Sequence, residues 1–132
     1  MSNLTVSTGF TSSGLTFDTG NSVTVYGTVS GTNLSGGTEY VSSGGRAYKT
    51  TVSNSGSEFV FTDGTASFTT VSSGGFEYVS GGTTVSVTLA YGGQANVYSG
   101  GTTSFTVVSD AATERVSTGA TTSFTTVSNG GT

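Results

Sequence analysis

A phrase of 18 or 19 residues returns along this chain, and no other feature limits its possible folds so tightly. The apolar residue that opens each phrase, followed by Ser and a Gly-rich turn, falls at Leu34, Val52, Val71, Leu89, Val108 and Val127, in steps of 18, 19, 18, 19 and 19. A second column reads Val23, Val41, Val60, Val79, Val97 and Val116, and a third reads Gly27, Gly45, Gly64, Gly82, Gly101 and Ala120. Internal repetition of this period marks a solenoid, in which each unit buries its apolar face only by stacking on the next.

The alternatives fail on composition. Disordered chains are rich in charge and proline, whereas here 8% of residues are charged, proline is absent, and Val, Thr, Phe and Tyr fill the spaces between turns. Without cysteine there is neither a disulfide framework nor thiolate chemistry. The formal net charge is −4, with Arg46, Lys49 and Arg115 as the cations, so the counterion-release term that drives nucleic-acid binding is missing. No apolar run reaches the ~20 residues of a spanning helix, so no membrane insertion of this segment is expected, and the first residues lack the basic and apolar regions of a signal peptide.

The fold expected is all-β, a right-handed parallel β-helix of about six to seven coils, since right-handed crossovers dominate between parallel strands. Residues 1–132 form one such domain, with residues 1–33 an irregular N-terminal coil and residues 34–132 the regular repeats. Each unit reads as a short strand, a glycine turn, a longer strand and a second turn. Strict alternation in Thr84-Val85-Ser86-Val87-Thr88-Leu89 sends Val85, Val87 and Leu89 inward, which places Val127 inside, turns the Thr65, Ser67, Thr69 row inward, and puts Lys49, Phe68, Ser86, Phe105 and Phe124 on the outer face. On the shorter strand the Val column faces in and Tyr40, Phe59, Tyr78, Asn96 and Arg115 face out.

Four phrases carry a likeness to a known family: Glu39-Tyr40-Val41-Ser42-Ser43-Gly44-Gly45, Thr51-Val52-Ser53-Asn54-Ser55-Gly56, Glu77-Tyr78-Val79-Ser80-Gly81-Gly82 and Thr126-Val127-Ser128-Asn129-Gly130-Gly131. Together they resemble the strand-loop-strand passenger repeat of AIDA-type autotransporter adhesins, over residues 34–132. The resemblance implies a non-enzymatic structural module at the bacterial cell surface, acting in adhesion, self-association and biofilm formation. It also implies O-glycosylation by a heptosyltransferase, with Ser35, Ser43, Ser73, Ser80 and Ser99, each just before a glycine pair or at its edge, as acceptors. Asp110-Ala111-Ala112 and Thr118-Gly119-Ala120 depart from the family's Gly-Gly rule, and neither a signal peptide nor a membrane barrel is present in this sequence.

Two sets of columns could carry chemistry. Glu39, Glu58, Glu77 and Glu114 share one column, with Ala95 in the remaining place; stacked carboxylates repel, so a solvated edge is expected, with a cation-bridged ladder as the competing reading. Carboxylates one coil apart also approach the separation of a retaining glycosidase pair, but no cleft-forming segment accompanies them, and histidine is absent, so neither catalysis nor a cofactor or metal is expected. The outward aromatics Tyr40, Phe59 and Tyr78, and Phe68, Phe105 and Phe124, form stripes of the kind that mark a contact surface. A ligand-binding solenoid, glycan-binding or ice-binding, is the alternative function; flat ice-binding faces need Thr-x-Thr rows, and here Thr-Thr pairs prevail.

Overall fold

The computed structural model describes residues 2–132 and shows a β-solenoid of seven coils, each of three short strands, with no helix among the described residues. The first coil comprises β1 (Asn3–Val6), β2 (Thr11–Ser13) and β3 (Thr16–Asp18), and the second β4 (Ser22–Val25), β5 (Thr28–Ser30) and β6 (Asn33–Ser35). The third holds β7 (Thr38–Val41), β8 (Arg46–Tyr48) and β9 (Thr51–Ser53), and the fourth β10 (Ser57–Phe61), β11 (Thr65–Ser67) and β12 (Thr70–Val71). The fifth holds β13 (Phe76–Ser80), β14 (Thr83–Val85) and β15 (Thr88–Leu89), and the sixth β16 (Gln94–Tyr98), β17 (Thr102–Ser104) and β18 (Val107–Val108). The seventh is β19 (Thr113–Val116), β20 (Thr121–Ser123) and β21 (Thr126–Val127).

Corresponding strands pair in parallel from coil to coil, giving three seven-stranded sheets: sheet 1 runs from β1 to β19, sheet 2 from β2 to β20, and sheet 3 from β3 to β21. The repeat columns become ladders. Val41, Val60, Val79, Val97 and Val116 stack in sheet 1, and Leu34, Val52, Val71, Leu89, Val108 and Val127 stack in sheet 3. Between the sheets lies a thin core of Val, Leu and Ala with Phe17 at one end. Val116 and Val127 are on the inner side of the final coil but remain 45% and 53% exposed, because no coil covers them; for Val127 this corrects the buried placement expected from its column.

Three expectations are revised. Each coil has three strands, not two, because the long strand is broken at a single residue with left-handed backbone: Lys49, Phe68, Ser86, Phe105 and Phe124 have φ of 57°, 59°, 59°, 56° and 56°. Such a residue turns the corner between sheets 2 and 3 and interrupts the two-residue alternation. Consequently Thr84 faces in and Val85 out, and Thr65 and Ser67 lie on the outer face while Ala66 and Thr69 are buried. Second, the N-terminal segment builds two coils where one irregular coil was expected. Third, Val23 belongs to a different ladder: it pairs with Glu39, and Val25 is the partner of Val41. The turn between Val25 and Gly27 is a single residue, Tyr26, so counting back from Val41 by a whole repeat lands two places short.

The glycine pairs divide their labour. In Gly81-Gly82 and Gly100-Gly101 the first member has φ of 75° and 77°, a conformation glycine adopts without penalty. The second is needed for proximity. A Cβ on Gly82 would lie 2.6 Å from Phe61 O, and one on Gly64, which stands at the same corner after Asp63, would lie 2.6 Å from Val41 O in the coil before it. These positions set how closely coils stack.

Candidate functional site

Sheet 1 carries on its outer face a ladder of stacked rings. Tyr40 and Phe59 have centroids 5.3 Å apart, and Phe59 and Tyr78 4.7 Å, with interplanar angles of 21° and 14°. In-register pairing of β7, β10 and β13 puts one ring directly over the next at the strand spacing, inside the range in which offset stacks are favourable. Phe61 and Phe76 flank the ladder, with centroids 6.1 Å from Phe59 and 5.9 Å from Tyr78, and Tyr98 extends it 6.5 Å beyond Tyr78. These three are absent from the stripes expected from the sequence, although each lies two places along its strand from a position recognised as outward, Phe59, Tyr78 and Asn96 respectively, and so shares its face. Half-buried Tyr40, Phe59 and Tyr78 present their edges and outer surfaces to solvent.

The second stripe lies at the corner between sheets 2 and 3, where Phe68, Phe105 and Phe124 are 51%, 56% and 73% exposed. Phe105 and Phe124 stack at 4.9 Å and 6°, while Tyr48 meets Phe68 edge-on at 5.2 Å and 71°. Lys49 Nζ lies 5.4 Å from the Tyr48 centroid.

Of the serines expected as acceptors, Ser43, Ser80 and Ser99 sit at the corner joining sheets 1 and 2, and Ser73 at the corner joining sheets 3 and 1; all four are exposed. Ser35, also at the latter corner, is half-buried and accepts a hydrogen bond from Asn54 Nδ2 at 3.0 Å.

The glutamate column is not a solvated edge. Glu39, Glu58 and Glu77 are fully buried, stacked in register on the inner face of sheet 1, where Val23 occupies the same ladder. Pleat geometry requires this: Val41 points in and Tyr40 out, so Glu39 points in. Thr50 Oγ1 donates to Glu39 at 2.9 Å and Thr69 Oγ1 to Glu58 at 3.0 Å, each threonine eleven residues after its carboxyl. Around Glu114 four threonines gather, with Thr103 and Thr125 donating at 2.9 and 3.1 Å. Glu77 differs. Its coil is one residue shorter, Val87 stands where the threonine would be, and neither carboxyl oxygen has a hydrogen-bond partner.

All three cations are exposed, so no positive charge compensates the ladder. Burial pushes Glu39 up to about 7 and Glu77 up to about 8, the latter helped by the charge of Glu114 two coils on, and burial together with its two carboxyl neighbours raises Glu58 well above the ordinary range. Protonated carboxyls lose the mutual repulsion and can donate as well as accept, which is how three acids can stack in a dry core. Sealed from solvent, Glu39, Glu58 and Glu77 cannot reach a sugar, and among the described residues no group of three or more His, Cys, Asp or Glu could hold a metal ion.

A three-sided parallel β-solenoid with ring ladders outside and a buried carboxyl ladder inside is the class that these features define. The crystal structure of a hyper-glycosylated TibA fragment, residues 55–350 of that protein with glycosylation catalysed by TibC, is similar to this chain over 98% of its length, at 28% identity and a TM-score of 0.63. The chain spans 62% of that fragment. No family model and no curated protein sequence matches.

Proposed function

We propose that this chain is a non-enzymatic structural module of a bacterial surface adhesin, located outside the cell, which carries O-linked sugar on corner serines and uses its aromatic faces in adhesion and self-association. The observation that carries the reading is the joint likeness in fold and sequence to a solenoid that a glycosyltransferase modifies, together with exposed Ser43, Ser73, Ser80 and Ser99 at corners where an enzyme can reach a hydroxyl. A corner hydroxyl takes a bulky sugar without disturbing the core, and a rigid rod displays such groups at fixed spacing. Ser35 is the poorest of the five acceptors, since its hydroxyl is half-buried and engaged by Asn54.

Intact mass after co-expression with TibC tests the modification. The expected result is a set of adducts spaced by one sugar mass, that of a heptose if the family resemblance holds, reduced in number by Ser43→Ala, Ser73→Ala, Ser80→Ala and Ser99→Ala in combination. Unmodified protein, or a number of adducts that the quadruple change leaves undiminished, would overturn these assignments. Adhesion and self-association are tested separately by displaying the chain on a non-adherent bacterium and measuring settling.

A further inference from the structure

Between Phe68 and Phe124 the corner ladder lacks one ring. Running through the third to seventh coils it reads Lys49, Phe68, Ser86, Phe105, Phe124, and at Ser86 an open notch of about 340 Å³ is lined by Phe68, Thr70, Ser86, Thr88, Phe105 and Val107, with the buried Thr69 beneath. Phe68 and Phe105 are two coils apart, ~9.6 Å at the spacing of parallel strands, which leaves room for one ring between them at stacking distance from each. Both walls are buttressed from behind: Tyr48 packs edge-on against Phe68 at 5.2 Å and Phe124 stacks on Phe105 at 4.9 Å.

A left-handed conformation costs an L-residue about 1–2 kcal/mol, and in the first two coils the same corner is made by Gly14 and Gly31, with φ of 65° and 68°. Phenylalanine at this corner, like Lys49 and Ser86 there, holds a conformation that glycine adopts without penalty.

We propose that the notch between Phe68 and Phe105 is a binding site for one neutral pyranose sugar ring. The lining contains no charged side chain, and the protein is acidic, which disfavours an anionic ligand. The rim supplies hydroxyls. Among the described residues no side-chain hydrogen bond engages Thr70, Ser86 or Thr88, whereas the Thr69 hydroxyl is spent on Glu58. Aromatic rings on either side with hydroxyls at the edge suit a guest that is apolar on its faces and hydroxylated on its perimeter; an aromatic guest would leave those hydroxyls unmatched. The site stands whether or not the chain is itself glycosylated.

The test is saturation-transfer NMR with the methyl glycosides of glucose, galactose and mannose, and with p-cresol as the aromatic control. Wild-type protein is expected to bind at least one glycoside with a millimolar Kd, its ring protons showing the transfer. Ser86→Phe should weaken that binding at least tenfold with folding intact, since Phe68 and Phe105 already place phenylalanine in the same backbone conformation. Phe105→Ser, which copies the natural Ser86, should do the same by removing a wall. Absence of transfer to all three glycosides, unchanged binding by both variants, or p-cresol bound ten times more tightly than any glycoside would overturn the proposal. A concentration-dependent dimer that Ser86→Phe abolishes would also overturn it, by giving the notch to a second copy. None of these results bears on the corner serines.

Discussion

Replacing Glu77 with leucine should stabilise this protein, and should do so more at pH 8 than at pH 5. Glu77 is fully buried with no hydrogen-bond partner for either oxygen, and its carboxyl is pushed from the ordinary 4.5 up to about 8. Below pH ~4.5 folded and unfolded states both hold the proton, so no penalty arises. Between about 4.5 and 8 the unfolded chain releases it while the folded chain retains it, which favours unfolding by about 1.4 kcal/mol per pH unit; above 8 the loss is complete. The cumulative penalty is about 3 kcal/mol at pH 7 and on the order of 5 kcal/mol at pH 8 and above. To this an unsatisfied buried polar group adds about 1–3 kcal/mol at any pH. Val23 in the same ladder shows that a branched apolar side chain fits there. Guanidinium unfolding at pH 5 and pH 8 reads the effect: the wild-type midpoint should fall with rising pH, and Glu77→Leu should raise it at both values and shrink the fall. A wild-type midpoint that rises from pH 5 to pH 8, or a destabilised Glu77→Leu, would refute a protonated, unpartnered Glu77.

Val87→Thr should supply the missing donor, lower the Glu77 carboxyl toward its ordinary value and stabilise by about 1 kcal/mol, as seen by chemical unfolding and carboxyl titration in ¹³C NMR. With Glu39, Glu58 and Glu77 protonated, the formal charge of −4 becomes −4 + 3 = −1, so electrophoretic mobility at pH 6 should be well below that calculated from composition. Gly64→Ala should cost about 2 kcal/mol, because its Cβ would meet the Val41 carbonyl; thermal unfolding tests this. The double change Phe105→Ser and Phe124→Ser should leave the fold intact, given that Ser86 already takes this backbone conformation, and reduce self-association measured by sedimentation.

The stacking of coils is legible in the sequence because the periodicity of Leu34, Val52 and Val71 is a direct statement of which residues share a ladder. What sequence reasoning misses arises at two physical junctions. A single left-handed residue at Phe68 or Ser86 leaves no mark in composition, since neither is glycine, so the corner reads as continuous strand and Val85 is assigned to the wrong side. The same corner hides the outer Thr65 and Ser67 pair. The outer face of sheet 2 does bear such hydroxyl pairs, but Arg46 and Tyr48 in the third coil and Val85 in the fifth interrupt the row, so it forms no continuous array for ice. At Glu39 alternation and charge give opposite answers, and the solvated edge expected above follows the charge. The pleat wins, because a carboxyl can take up a proton whereas a strand cannot turn one side chain out without turning its neighbours in.

Because every coil offers the following one the same three hydrogen-bonding edges, whole units can be gained or lost without redesigning the interior. The gene therefore holds a ruler graduated in steps of ~4.8 Å. Gain or loss of whole units would lengthen or shorten the rod in those steps, leaving the interior of the remaining coils unchanged.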